Sequence, residues 1–448
     1  MTSMKQWVRK TASSARRTGI VAMAAAAGMA TAAPAASQPA PGRHEGFTLE
    51  EAYGLAATRS PVLQAAAASA DAAAAMERSA GLPPDPMIQL GIMNFSIPGF
   101  GLDMPTSMAP SIQAMQMLPI GRLGPASRIA RQQTRIARAG AAETWWEVRS
   151  RTAMAFYMIY EADRQLDVMA ETRQLLETFE QAARTMYAAG DGRQSDVLRA
   201  GVEVSRMDAD IRRMEAMRGA AVARLNGMLD RPSNTPVPPV VLGTLAMDLP
   251  PLDTLRAWAE DGRPMLAGGR GGVEQAEART TLARREIWPE PIIGVQYGQR
   301  SGEMGTERMA SAMVGFSIPV FAGSRQLRMR DEAAAMEAMA RADLGAMRAE
   351  VDARLGELTA ELDRTRTLIA LYRAEILPQA RANVEASFSS YRVGRVDFMT
   401  LIDAQMMASR FEQEMYGFLA EYGRAIAELE MTVGREMPRV GELLAEAP

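Results

Sequence analysis

The chain has 448 residues, a formal net charge of −3, no cysteine and a single histidine, His44. The near-neutral balance without a basic stripe argues against nucleic acid as a partner. Without thiols, and with one imidazole in a Pro/Gly-flanked stretch, the chain offers almost no nucleophile, base or zinc ligand, so neither enzymatic activity nor a cofactor is expected.

The elements follow in chain order. Lys5, Arg9, Lys10, Arg16 and Arg17 precede an apolar stretch from Gly19 to Ala33, and Ala33-Pro34-Ala35 offers a small-x-small cleavage site. Residues 1–35 are therefore expected to be an export signal and 36–46 a linker. Beyond residue 36 no apolar run of about 18 residues occurs, so no membrane-spanning helix is expected. The mature chain is then exported, and either stays soluble or enters a membrane as β-strands.

Thr48 and Glu51 have the spacing of a capping box ahead of an Ala-rich helix. That helix is expected to reach about Ala80, with a break at Pro61. Residues 86–97 and 111–119 read as strands around a Gly/Pro/Ser-rich loop, 98–110. No proline occurs from Ala126 to Arg231. A helix over 126–187 would reach roughly 90 Å at 1.5 Å per residue. The Tyr187–Ser195 segment, with Gly190 and Gly192, turns it, and a second helix returns to about Leu229.

The chain then repeats itself. Tyr187-Ala-Ala-Gly190 through Leu198-Arg199-Ala200 aligns without a gap to Tyr391-Arg-Val-Gly394 through Ile402-Asp403-Ala404, at an offset of about 204 residues. Ser60-Pro61-Val62-Leu63 matches Arg263-Pro264-Met265-Leu266, Pro84-Asp85-Pro86 matches Pro289-Glu290-Pro291, and Leu118-Pro119-Ile120 matches Ile318-Pro319-Val320. Four anchors in one order define a duplicated unit of roughly 200 residues. The second half is thus expected to carry strands over 291–299 and 310–320 around a loop, 300–309. Helices over Ser324–Tyr391 and Phe398–Val433 follow.

The returning helices carry heptad seams. Met415, Leu419, Tyr422, Ile426, Leu429 and Val433 form one, and Val204, Met207, Ile211, Met214, Arg218, Ala221, Leu225 and Met228 the other. The predicted organisation is helical over 47–82, 122–231, 252–286 and 322–434, with strand segments at 83–121 and 287–321. An inter-repeat linker at 232–251 and a tail at 435–448 complete it. Four strands cannot close a barrel, since edges cannot sit in lipid and the smallest such barrels have about eight strands. Three chains would supply twelve strands and twelve long helices, so a homotrimer is expected.

This organisation resembles the outer membrane factors, the TolC-like channel-tunnels of tripartite efflux and type I secretion. The resemblance rests on Ile376-Leu377-Pro378-Gln379-Ala380, Tyr391-x-x-Gly394 and Leu401-Ile402-Asp403-Ala404-Gln405. The first-half copy Asp196-Val197-Leu198-Arg199-Ala200 and the Leu-Pro-Ile and Ile-Pro-Val-Phe strand exits add to it. It implies a mainly α fold with membrane β-strands: coiled-coil hairpins forming a trimeric periplasmic α-barrel, and four strands per chain in a shared 12-stranded outer-membrane barrel. It also implies a passive efflux conduit, partnered by a periplasmic adaptor and an inner-membrane pump. Asp196 and Asp403 match the family's entrance aspartates, and Tyr391 the tyrosine bracing the closed gate. The family's gate arginine falls at Val396, with Arg395 adjacent to substitute. Tyr187, Gly190 and Gly394 would mark the adaptor-facing tips. For Asp196, a first-turn role behind Ser195 as N-cap is the plainer alternative.

The cargo is left open among drugs, secreted protein and metal cations. The chain has 34 methionines, and Met87, Met93, Met104, Met108, Met115, Met117, Met304, Met309 and Met313 all fall in the strand segments. Thioethers suit Cu(I) and, by the same softness, Ag(I); the plainer reading is methionine in place of leucine, with no defined metal site. A soluble periplasmic coiled-coil adaptor is the alternative of another class.

Overall fold

The computed structural model describes residues 46–93, 108–245, 247–302 and 305–438. The expected signal and His44, the segment 94–107 with Met104, and Met304 lie outside these.

The first half runs α1 (Leu49–Arg59), α2 (Pro61–Ser79), β1 (Met87–Met93), β2 (Met108–Met117), α3 (Leu123–Ala189) and α4 (Gln194–Met228). The second runs α5 (Leu252–Gly262), α6 (Pro264–Arg285), β3 (Glu290–Gly302), β4 (Gly305–Ser317), α7 (Gln326–Leu371), α8 (Leu377–Arg392) and α9 (Phe398–Val433). The duplication read from the sequence is thus a duplication of structure. Thr48 forms both arms of the capping box: its Oγ1 accepts from the Glu51 N–H at 3.3 Å, and its own N–H donates to Glu51 Oε2 at 3.0 Å. Pro61 and Pro264 each sit in a first helical turn, where a missing N–H costs nothing, and so end the preceding helix and start the next.

At 67 residues, α3 is about 100 Å long. Its second-half counterpart is not continuous, contrary to the single helix expected over 324–391. A π-helical turn, Tyr372–Ile376, separates α7 from α8, and the Leu377 N–H bonds back to the Tyr372 carbonyl. The cause is Pro378, which lacks an N–H and crowds the carbonyl four residues before it; widening one turn relieves both. Tyr372 stabilises the bend by donating to Glu414 Oε2 at 2.7 Å.

The strands form one antiparallel sheet in the order β1-β2-β3-β4, so β2–β3 pairing joins the two halves. β3 and β4 run on through the expected loop 300–309 to a Gly302–Gly305 pair. That polar stretch is strand because Arg300 and Glu307 face each other across it, bonded at 2.7 Å. β2 likewise begins at Met108, earlier than expected. One sheet face is aliphatic and exposed, with Ile88, Leu90, Val295, Val314 and Phe316. The other carries Gln89, Gln113, Gln296, Ser311 and glycines.

Below the sheet the helices pack along the expected seam, and Leu419, Tyr422, Ile426, Leu429 and Val433 are all buried. Tyr160, Phe156, Leu225 and Leu355 complete this core. The segment 232–251, expected as a plain linker, is a packed strap. Val237, Val240 and Leu245 are buried, and Phe47 exchanges backbone bonds with it at 3.0 Å on both sides. Apolar residues on a short connection lose water contact by lying against the helices, and this outweighs the freedom of a loose loop.

A buried clasp ties the interior of α3 to the last turn of α9. Arg149 of α3 bonds Glu430 of α9 at 3.3 Å and Glu436 at 3.0 Å, and its guanidinium stacks 4.0 Å from the Tyr53 ring of α1. The other Glu430 oxygen accepts from the Met437 N–H at 3.0 Å. Exposed inter-helix pairs such as Glu260–Arg348 and Arg381–Glu412, both at 2.6 Å, set helix register and add little to stability, because water and salt screen them.

Burial holds the Glu430 carboxyl above its usual range, with Arg149 pulling the other way. Replacing Arg149 by methionine strands a buried carboxylate and is expected to cost about 3–5 kcal/mol in chemical unfolding. Removing the guanidinium raises the folded-state pKa of Glu430 further. A raised carboxyl favours the folded state at acid pH and loses that advantage as pH rises through the folded value. The deficit of the variant should therefore be larger near pH 8 than near pH 5.

Candidate functional site

The two helix reversals lie together at the end away from the sheet. Gly190 closes α3 in a left-handed conformation, φ +84°, and Gly394 follows α8 at φ +67°. Few side chains tolerate that backbone, which is why both halves keep glycine there. The orphan carbonyls of the last turns are satisfied: the Gly190 N–H donates to Tyr187 O at 3.1 Å, and the Gly394 N–H to Tyr391 O at 2.9 Å. A separate apolar cluster of Leu176, Phe179, Met207, Tyr391, Phe398 and Leu401 welds the two hairpins together. Phe179 meets Phe388 at 5.1 Å between ring centroids.

The equivalent tyrosines differ. Tyr187 is 49% exposed, whereas Tyr391 is 3% exposed and packs edge-on against Phe398 at 5.4 Å. The Tyr391 hydroxyl is buried with no hydrogen-bond partner among the described residues. Burial pushes its phenol up, and the nearby Asp196 carboxylate adds to the shift. The structure thereby brings Asp196 of one hairpin within electrostatic reach of Tyr391 of the other.

Asp196 is half-buried in the first turn of α4. Ser195 is not the N-cap: α4 starts one residue earlier, behind Arg193, and no side chain caps it. Ser195 instead points its hydroxyl at Asp196 Oδ1, 3.4 Å away. The cap that the sequence reading passed over is Asp397, which receives the Thr400 N–H at 2.9 Å and the Thr400 hydroxyl at 2.6 Å. Those bonds from Thr400 hold its carboxyl below the usual range. An Asp-x-x-Thr spacing ahead of a helix was the available signal. Asp403 and Arg395 are exposed, while Val396 packs half-buried against the tip cluster. Among the described residues no group of three or more His, Asp or Glu side chains is arranged to hold a metal ion.

Forcing a β-branched residue into the left-handed turn should strain it by about 1–2 kcal/mol. Gly394→Val is therefore expected to speed amide exchange over 391–398 while leaving global unfolding nearly unchanged. Unaltered exchange there would show that the turn carries no constraint.

No family model matches the chain, and no curated protein matches its sequence. Solved structures do match. CusC, a protein studied for folding and transmembrane channel formation, superposes with a TM-score of 0.76 at 15% identity, covering 89% of this chain and 95% of that one. The outer membrane protein VceC from Vibrio cholerae gives 0.74 at 14% identity over 87% and 96%. The open state of the Neisseria gonorrhoeae MtrE outer membrane channel gives 0.68 at 17% identity over 87% and 90%. Along nearly its whole described length, the chain has the fold of the outer-membrane channels.

Proposed function

We propose that the chain is one third of a passive outer-membrane efflux channel, working with a periplasmic adaptor and an inner-membrane pump that supplies the energy. The sheet carries this reading. It has an exposed aliphatic face, and β1 and β4 each leave a row of backbone donors and acceptors unpaired. Neither state survives in lipid unless the edges pair with other chains. Twelve strands from three chains close the barrel, and α3, α4, α7–α8 and α9 from each continue it as a helical cylinder into the periplasm. No described helix is long and apolar enough to cross a membrane, so the strands are the described elements available for that task. A soluble adaptor would gain nothing from exposing the aliphatic face that Ile88, Leu90, Val295, Val314 and Phe316 form.

In this assembly the tips form the periplasmic entrance. Tyr187, Gly190 and Gly394 face the adaptor, Tyr391 and Arg395 brace the closed state, and Asp196 and Asp403 line the constriction. Asp403 is exposed in the single chain and lies beyond the first turn of α9, so capping gives it no role. Threefold repetition would crowd up to six carboxylates at one level, which attracts cations. Among cargoes, soft metal cations are favoured by where the strand methionines point.

Detergent-extracted protein should show three times the monomer mass by native mass measurement; a stable water-soluble monomer would refute the channel. In planar bilayers the pore should be cation-selective and blocked by multivalent cations from the tip side. Asp403→Asn, alone or with Asp196→Asn, should weaken both properties while assembly is preserved. Identical reversal potentials and block would mean that these carboxylates face away from the pore.

A further inference from the structure

The polar face of the sheet carries a pattern that channel closure does not require. Cross-strand register puts Met87 opposite Met115, Met115 opposite Gly294, and Gly294 opposite Met313. A single rung across all four strands thus reads Met-Met-Gly-Met. Two residues along each strand, the next rung on this face reads Gln89, Gln113, Gln296, Ser311. Met117 and Met309 share the face by alternation. The aliphatic face carries Ile, Leu, Val, Phe, Tyr and Ala, with Gln116, Gln299 and Arg308, and has no methionine among its described residues. Methionine standing in for leucine would collect on the aliphatic face. It does the reverse.

Geometry makes the rung more than a list. Neighbouring strands lie about 4.8 Å apart, so Met115 and Met313 flank Gly294 at about 10 Å between backbones. Both side chains lean inward over the glycine: a β-carbon there would lie 3.3 Å from Met115 Cγ and 3.4 Å from Met313 Cε. The Gln89 amide points at the Met87 sulfur at 3.4 Å, and the Gln113 amide at the Met313 sulfur at 3.9 Å. The rung contains no carboxylate that would favour hard divalent ions.

We infer that the Met87–Met115–Met313 rung, with Gly294 as its open floor, is a transit site for soft monovalent cations of the Cu(I)/Ag(I) class on the inner wall of the barrel. This rests on the channel reading, which assigns the polar face to the lumen. Thioethers are soft ligands that select such ions. They are also uncharged, so they hold the ion weakly enough for release outward, as conduction requires. The adjoining amides offer oxygen ligands to a partly hydrated ion.

The test is Ag(I), a redox-stable probe, titrated into the purified full-length protein in detergent, with X-ray absorption at the silver edge. Wild type should bind Ag(I) with sulfur neighbours. Met87→Leu/Met115→Leu/Met313→Leu nearly preserves side-chain volume and should lower affinity at least tenfold. Gly294→Val keeps all three sulfurs but fills the floor, and should weaken binding similarly. Met329→Leu/Met336→Leu, on α7, should bind as wild type does. Absence of sulfur coordination in wild type, or a triple variant that binds as tightly, overturns the site. Potassium conductance is measured in parallel: its loss in wild type refutes the channel reading, whereas normal conductance without silver binding refutes this site alone.

Discussion

The four strands of the described sheet pair with one another, yet the two outer edges have no partner, and the rest of the architecture follows from that deficit. An unpaired edge in water invites association, and in a bilayer core each unpaired group costs several kcal/mol. Among the described residues nothing pairs with the outer edges of β1 and β4. The aliphatic face adds a second demand, since it gains most by contact with lipid. Closure by further copies meets both demands together. It also gives the helices a reason for their length: a 67-residue helix needs neighbours along its whole height.

The helices withstand this arrangement because their packing is strongest midway. There the Arg149–Glu430 clasp, the strap and the large aromatic residues meet in one core. The tip cluster is smaller and separate. A rod tied at its middle, with an independent cluster at its end, can change the end without unpacking the centre, because local opening energies follow local burial. The π turn ahead of Pro378 falls between these two regions on the second-half hairpin. It is the point on that hairpin where the helical hydrogen-bond pattern already departs from α.

Much of this was legible in the chain. The duplication, the capping box at Thr48, the prolines opening α2 and α6, and the seam from Leu419 to Val433 are local or periodic signals, and local signals survive folding intact. What escaped depended on distant partners. The glycines and serine of 300–309 made the stretch look like a loop, and the pairing of Arg300 with Glu307 that keeps it strand was not visible. Arg149 and Glu430 are 281 positions apart, and no period links them. Ser195 is a good capping residue in isolation, but the helix begins before it. Pro378 was visible, yet whether a long helix answers proline with a break, a kink or a wider turn depends on what packs there, here Tyr372 against Phe411 and Phe418.

The two halves also diverge where it matters. Equivalent tyrosines are exposed at 187 and buried at 391, and equivalent helices are continuous in one half and π-bent in the other. A perfect duplication in a trimer would give six identical hairpins around the axis and no distinction among neighbours. In the proposed trimer, divergence would leave three pairs of unlike hairpins. The first-half tip keeps an exposed aromatic surface that a partner can cover, and the second-half tip turns its tyrosine inward against Phe398. Division of labour follows from burial alone: an exposed ring can bind from outside, whereas a buried ring can only hold its neighbours in place. The Tyr391 hydroxyl is buried without a hydrogen-bond partner among the described residues, as is Gln405 Oε1 close by, and the described residues do not offset that cost. In the proposed trimer, a group from an adjacent copy that bonded these atoms would remove that cost and would tie this tip to assembly.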